Sequence, residues 1–193
     1  MIRLALLLAA LSAPLAAARP AAEPEVRLET SAGPITLAID VRHAPITGRN
    51  FLRYVDEHRF DGTSFYRAAR GKRDPKTGLV QGGINHFMPK SLPPIAHEPT
   101  GKTGLRHIDG TLSMARNAPG TAMGDFFIVV GPGAYLDEAP NYPGYAAFGH
   151  VVRGMDVVRA MLAAKTYPGG WDQQTIGQSL VRPVKILRAV RVR

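Results

Sequence analysis

The sequence predicts a mainly-β domain whose strands close into a barrel, with two helices packed against it. Three observations carry that prediction. Short segments in which apolar and polar residues alternate recur along the chain, whereas only two segments show helical spacing. Sixteen prolines and twenty glycines in 193 residues supply the turns that many short strands need. The length suits one domain, and 45% hydrophobic residues give it a sizeable core. Closing the strands into a barrel removes the exposed edges that an open sheet would leave.

The first eighteen residues stand apart from that domain. Arg3 precedes an apolar run from Leu4 to Leu11, then Ser12, Ala13, Pro14, Leu15 and Ala16-Ala17-Ala18. This charged, apolar, small-residue order is that of a secretory signal peptide, with the cut near Ala18 and Ala22 as the weaker site. The run is too short to span a bilayer as a stable helix, and Pro14 breaks it. No later apolar stretch is long enough to hold the chain in a membrane, and no cysteine follows the run to carry a lipid anchor. The expectation is a periplasmic or secreted protein: residues 1–18 a signal peptide, 19–25 a flexible leader, and 26–193 the folded domain.

Within that domain the elements read in order. Residues 26–30 and 35–40 alternate around Ser31-Ala32-Gly33-Pro34, a hairpin signal. Gly48, Phe51, Leu52 and Val55 recur at helical spacing after Pro45, with Asp61-Gly62 beyond the end, and place a helix at 45–58. Residues 65–69 and 79–81 look like strands separated by a polar loop, 70–78. The stretch 85–110 is proline-rich and loop-like. Further strands are predicted at 111–115, 126–130 and 146–152. A second helix at 154–164 carries Met155, Val158, Met161 and Leu162 on one side. The last strand, 184–192, places Val184, Ile186, Val190 and Val192 on one face.

Composition excludes several chemistries. The absence of cysteine removes disulfides, thiol catalysis and cysteine-ligated metal centres. The net charge of +9 comes from arginines scattered through every segment. Its densest cluster, Arg67, Arg70, Lys72 and Arg73, has only Tyr66 as a stacking platform, so a basic surface is expected rather than specific nucleic-acid binding. The six histidines, at 43, 58, 86, 97, 107 and 150, show no His-x-x-x-His zinc spacing and read as scattered surface or loop residues. There is no Gly-x-Ser-x-Gly elbow and no phosphate-binding glycine loop. Neither a metal nor a cofactor is expected.

Three blocks in order carry a family resemblance. The first is Phe60-Asp61-Gly62-Thr63-Ser64-Phe65-Tyr66-Arg67, followed by Gln81-Gly82-Gly83. The second is Gly110-Thr111-Leu112-Ser113-Met114-Ala115-Arg116, ending in Phe126-Phe127-Ile128. The third is Tyr135-Leu136-Asp137, then Phe148-Gly149 and Val151-Val152-Arg153-Gly154-Met155-Asp156-Val157-Val158. Together they resemble the signature of the cyclophilins, in their bacterial exported branch, over nearly the whole mature chain. The resemblance implies an eight-stranded antiparallel closed barrel capped by two α-helices, with the active groove on its outside. It also implies a cofactor-independent peptidyl-prolyl cis-trans isomerase acting on proline-containing unfolded or extended polypeptides, as a monomer.

The chemistry asked of such a site is specific. Rotation about a peptide bond meets a barrier of about 18–20 kcal/mol, because resonance gives the C–N bond double-bond character. The two X–Pro isomers lie close in energy, so acceleration needs no driving force, only stabilisation of the twisted amide. Twisting makes the prolyl nitrogen pyramidal and leaves it a lone pair, which a fixed cationic donor stabilises. The resemblance assigns that role to Arg67, a planar and permanently charged donor. It makes Phe127 the floor of the proline pocket, and alternation agrees: Phe126, Ile128 and Val130 share the core side, leaving Phe127 outward. It places Gln81 beside the arginine to bond substrate backbone, Leu79 in the pocket wall, and Leu136 and Tyr145 on the rim. Ala115 leaves room for substrate backbone, with Arg116 beside it in place of the usual asparagine.

Four departures from the family pattern carry expectations of their own. An insertion, 68–78, replaces a compact turn. Gly78 stands where a second pocket phenylalanine is usual, so that wall is missing or is supplied by Phe87 or Met88. Asp125 replaces a glutamine and puts a carboxylate near Arg67. Tyr135 stands where many members carry tryptophan, which implies weak or no binding of the inhibitor cyclosporin. The alternative function is a non-catalytic proline-peptide binding module or chaperone-like homologue that kept the groove.

Overall fold

The structure, a computed structural model, describes residues 22–85, 87–170 and 173–192; the signal-peptide reading at 1–18 and His86 lie outside them. Its strands are β1 (Glu25–Thr30), β2 (Gly33–Ile39), β3 (Ser64–Arg70), β4 (Gly78–Gly83), β5 (Thr111–Met114), β6 (Asp125–Val130), β7 (Ala146–Arg153), β8 (Thr166–Tyr167) and β9 (Ser179–Arg191). Every pairing is antiparallel, in the order β1-β2-β7-β5-β6-β4-β3-β9, and β9 pairs back onto β1. Eight strands thus close a barrel, and the two-residue β8 adds to the flank of β9. The helices are α1 (Pro45–Asp56), α2 (Thr100–Thr103) and α3 (Met155–Ala163). No helix among the described residues is long and apolar enough to cross a membrane.

Alternation fills the barrel. Leu28, Leu37, Phe65, Val80, Leu112, Phe126, Ile128 and Phe148 turn inward and are buried. Phe126 lies among rings: its centroid is 5.2 Å from Phe51, 5.4 Å from Phe60 and 5.6 Å from Phe65, each edge-on. Edge-to-face packing suits the quadrupoles of these rings and adds to what their burial supplies. Helix α1 contributes Phe51, Leu52, Tyr54 and Val55 to this core, on the side that the helical spacing predicts.

Three differences from the sequence reading have physical causes. The stretch 85–110 contains the single turn of α2 and a 3₁₀ turn at Met88–Lys90, and its buried Glu98 serves α1. One oxygen of Glu98 accepts the Thr47 N–H and hydroxyl, both at 2.7 Å; the other accepts the Ile46 N–H at 3.2 Å. Ala44, the N-cap residue, has no side chain able to do this.

The last strand is the second difference. It begins at Ser179, five residues before its expected start, and its pairing with β1 shifts register between Ile186 and Arg188. That bulge moves the core face from Ile186 to Ala189 and leaves Val190 half-buried and Val192 exposed, so the expected four-valine-type face is interrupted. Third, α2 adds a helix to the two expected; its four residues give it no helical spacing to detect.

Candidate active site

Strand β3 sets the position of the central arginine through an irregularity. Phe65 pairs with Gly82, but Arg67 pairs with Gln81, so Tyr66 is an extra residue opposite the β4 ladder. Without that bulge Phe65 and Arg67, two apart, would share the inner face. With it, Phe65 stays in the core and Arg67 points outward beside Gln81. Gly82 is what lets Phe65 lie across β4: a Cβ there would meet the Phe65 ring at 2.7 Å.

Register carries the outer row onward. Arg67 pairs with Gln81, Gln81 with Phe127, and Phe127 with Ser113. Paired residues point to the same face, so β3, β4, β6 and β5 present four side chains in line, about 4.8 Å apart from strand to strand. Leu79 and Val129 form the next outward pair on the same face.

Hydrogen bonds run along the row in one direction. The Arg67 Nη1 donates to Gln81 Oε1 at 2.7 Å, Gln81 Nε2 donates to the Tyr66 hydroxyl at 2.8 Å, and Tyr66 donates to Asp125 Oδ1 at 2.9 Å. Asp125 also accepts the Asn85 N–H at 2.7 Å. Burial, and next the Asp125 charge, push the Tyr66 hydroxyl far above its ordinary pKa, so it remains a donor at any physiological pH. Asp125, expected as a carboxylate near Arg67, is therefore linked to it through Tyr66 and Gln81. The Arg67 Nε donates to Gln178 Oε1 at 2.8 Å, and the Gln178 backbone accepts the Ala68 N–H at 2.8 Å.

Phe127 is the floor, and it has support beneath. It clusters with Val129 and Leu136, against which Leu79, Ala115 and Tyr145 pack. Tyr145 meets it edge-on with centroids 5.4 Å apart, and His107 stacks on it at 6.2 Å. The buried His107 ring bonds Asp137 through Nδ1 at 2.7 Å and Ser113 through Nε2 at 2.9 Å. Asp137 can only accept, so Nδ1 carries the proton and Ser113 donates to Nε2. Burial holds the His107 pKa below its ordinary value despite the attraction of Asp137. His107 thus lies in a loop, as expected of the histidines, but is buried there, with only 1% of its surface exposed.

All of the sequence-predicted residues, Arg67, Leu79, Gln81, Ala115, Arg116, Phe127, Leu136 and Tyr145, line one groove of about 1000 Å³. Arg116 lies over the Tyr145 ring, 4.7 Å from its centroid, and bonds the carbonyls of Gly144 and Asn117. Tyr135 is in the same lining and well exposed. The inserted loop covers one end of the groove: Gly71 to Asp74 and Thr77 are in its wall.

Gly78 does not merely lack the pocket phenylalanine. Its φ of +138° and the Ala69 carbonyl, 2.0 Å from where a Cβ would sit, exclude a side chain on this backbone. Phe87 and Met88 do not replace it: neither lines the groove, because the turn after β4 carries them onto the outer surface, where they are 55% and 65% exposed. Met123, Pro132, Tyr142 and Gln178 line the groove without having been expected there, and the supporting roles of Tyr66 and of His107–Asp137–Ser113 were likewise not foreseen. The sequence carried no signal for Gln178, which lies 111 residues from Arg67.

Comparison with known proteins agrees with this geometry. Residues 25–190 match the family model for cyclophilin type peptidyl-prolyl cis-trans isomerase/CLD. The chain is 37% identical over 168 residues to peptidyl-prolyl cis-trans isomerase A of Dickeya dadantii, covering 84% of each chain. It is 41% identical over 150 residues to peptidyl-prolyl cis-trans isomerase cyp18 of Streptomyces antibioticus, covering 73% of this chain and 84% of that one. In fold it is similar to a cyclophilin type peptidyl-prolyl cis-trans isomerase of Cryptosporidium parvum, whose crystal structure was determined in the presence of the dipeptide Ala-Pro. The TM-score is 0.68 at 19% identity, covering 88% of this chain and 99% of that one.

Proposed function

The chain belongs to the cyclophilin-type peptidyl-prolyl cis-trans isomerases, and from that membership we propose that Arg67 performs the catalysis, on X–Pro bonds of exported polypeptides. The observation that carries the assignment is the outward row Arg67–Gln81–Phe127. It sets a fixed guanidinium two strands away from an apolar floor. A proline ring seated on Phe127, between Leu79 and Tyr145, brings the prolyl nitrogen toward the cation.

As the amide twists, the nitrogen loses conjugation and gains a lone pair, and an N–H of Arg67 stabilises that lone pair more than it does the planar amide. Gln81 and Gln178 hold the guanidinium from two sides, so little reorganisation is needed as the charge develops. Gln81 spends its carbonyl on Arg67 and one of its two N–H groups on Tyr66, and the other N–H is directed to substrate backbone. Ala115 keeps the path of the peptide open, and Leu136 and Arg116 complete the rim. Export rests on the signal-peptide pattern of residues 1–18.

The test is isomerisation of a proline tetrapeptide by the wild type and by Arg67→Ala. Loss of one preorganised donor predicts a fall of about 10²–10³ in kcat/KM. Equal rates for the two proteins would reject Arg67 as the catalytic residue.

A further inference from the structure

The groove is lined by five cationic side chains and two carboxylates, and two of the cations, Lys72 and Arg73, lie on the loop between β3 and β4. Three of the groove's cations are committed to other partners: Arg67 to Gln81 and Gln178, Arg70 to the carbonyls of Leu162 and Ala164, and Arg116 to those of Gly144 and Asn117. The groove's carboxylates, Asp125 and Asp74, accept from Tyr66 and Asn85 and from the Lys76 N–H respectively. Lys72 and Arg73 also line the groove, are exposed, and have no hydrogen-bond or ion-pair partner among the described residues.

These two cations are held in place by an ordered loop. Arg70 ties its base to the end of α3, its Nε donating to the Leu162 carbonyl at 2.7 Å. Gly71 N–H bonds the Thr77 carbonyl at 2.8 Å, and Thr77 bonds the Asp74 carbonyl through its N–H and its hydroxyl, at 3.1 and 2.9 Å. The loop therefore keeps its positive field at one end of the groove.

We infer that Lys72 and Arg73 make the groove select X–Pro segments bearing an acidic side chain about three residues from the proline. The spacing follows from the strand. Arg70 ends β3 three residues beyond Arg67, about 10 Å at ~3.3 Å per residue, and the loop that carries Lys72 and Arg73 starts there; an extended peptide covers that distance in about three residues. An uncharged segment leaves the two cations paired only with water, whereas a carboxylate at that reach meets both. Exposed pairs are individually weak and screened by salt. The expected preference is therefore about three- to tenfold, below the ~25-fold that two pairs at an upper limit of about fivefold each would give without screening. The inference rests on the groove being the substrate site of the isomerase.

Four peptides test it on the full chain. One pair carries Glu or Gln three residues before the proline, and a second pair carries them three residues after. Isomerisation rates and calorimetric binding are measured at low and high salt, for wild type and for the double variant Lys72→Ala, Arg73→Ala. In one pair the Glu peptide is expected to show about three- to tenfold higher kcat/KM and affinity than its Gln partner. That gap should shrink with salt, and the double variant should treat the two alike. Equal binding within both pairs, or a gap that persists in the double variant, would overturn the inference. A Glu peptide bound in preference but not accelerated would uphold the charge selection and overturn the isomerase reading instead.

Discussion

At the scale of the residue, function rests on side chains whose partners leave them one state. Arg67 is held on two sides, and the bonds from it through Gln81 and Tyr66 to Asp125 run in a single direction, which fixes the Gln81 amide without ambiguity. His107 does the same beneath the floor, and its burial gives a pH prediction. The folded state disfavours its charged form, so its pKa lies below the unfolded value near 6.5. Above pH 6.5 both states are neutral and the stabilisation is fully present. As pH falls through 6.5 the unfolded chain takes up a proton that the folded chain refuses, and stability is lost until pH passes below the folded pKa. For one proton that slope is at most about 1.4 kcal/mol per pH unit. Urea unfolding of the wild type between about pH 7 and 5 should show this loss, and His107→Gln, which keeps a donor and an acceptor, should flatten it. The same slope in both proteins would remove His107 as its source.

At the scale of the element, the two ends of helix α1 and helix α3 show how distant residues complete local structure. Helix α1 lacks a capping side chain of its own and takes Glu98, some fifty residues away, onto its first N–H groups. Glu98→Ala leaves buried donors without acceptors and should cost about 2–3 kcal/mol, with Glu98→Gln costing less because one acceptor remains. Chemical denaturation decides: an Ala variant within about 0.5 kcal/mol of wild type would show that water satisfies the helix start instead. Helix α3 receives Arg70 at its C-terminal carbonyls, where the helix dipole favours a cation. That contact is also what turns the inserted loop into a groove wall. The insertion was legible in the sequence as an interruption between Arg67 and Gln81, and the strands flanking it were legible from alternation. Where the loop lies was not, since its anchor is a pair of carbonyls more than ninety residues away.

At the scale of the whole molecule, a closed barrel gives the groove a rigid floor, because its inner face is packed with Phe65, Phe126 and Phe148 while its outer face carries the site. Export belongs to the whole chain, and cleavage of residues 1–18 is its expected mark. Processing near Ala18 should leave a mature N-terminus at Arg19, read by mass spectrometry of the protein recovered from its producing cell. Recovery of chains beginning at Met1 would reject the signal-peptide reading. Alternation, helical spacing and turn residues by themselves determined the barrel strands except the start of the last, the two longer helices and the inward set around Phe126, because those are local properties of a chain that must bury one face. The order of three motif blocks likewise determined which residues would gather at the groove. Only the tertiary structure decided that Arg67 faces outward, because simple alternation from Phe65 would turn it into the core and the bulge at Tyr66 forms only when β3 pairs with β4 and β9. It also decided that Gln178, Glu98 and Arg70 reach their partners, since contacts between residues tens to a hundred positions apart depend on how strands register and leave no periodic trace in the sequence.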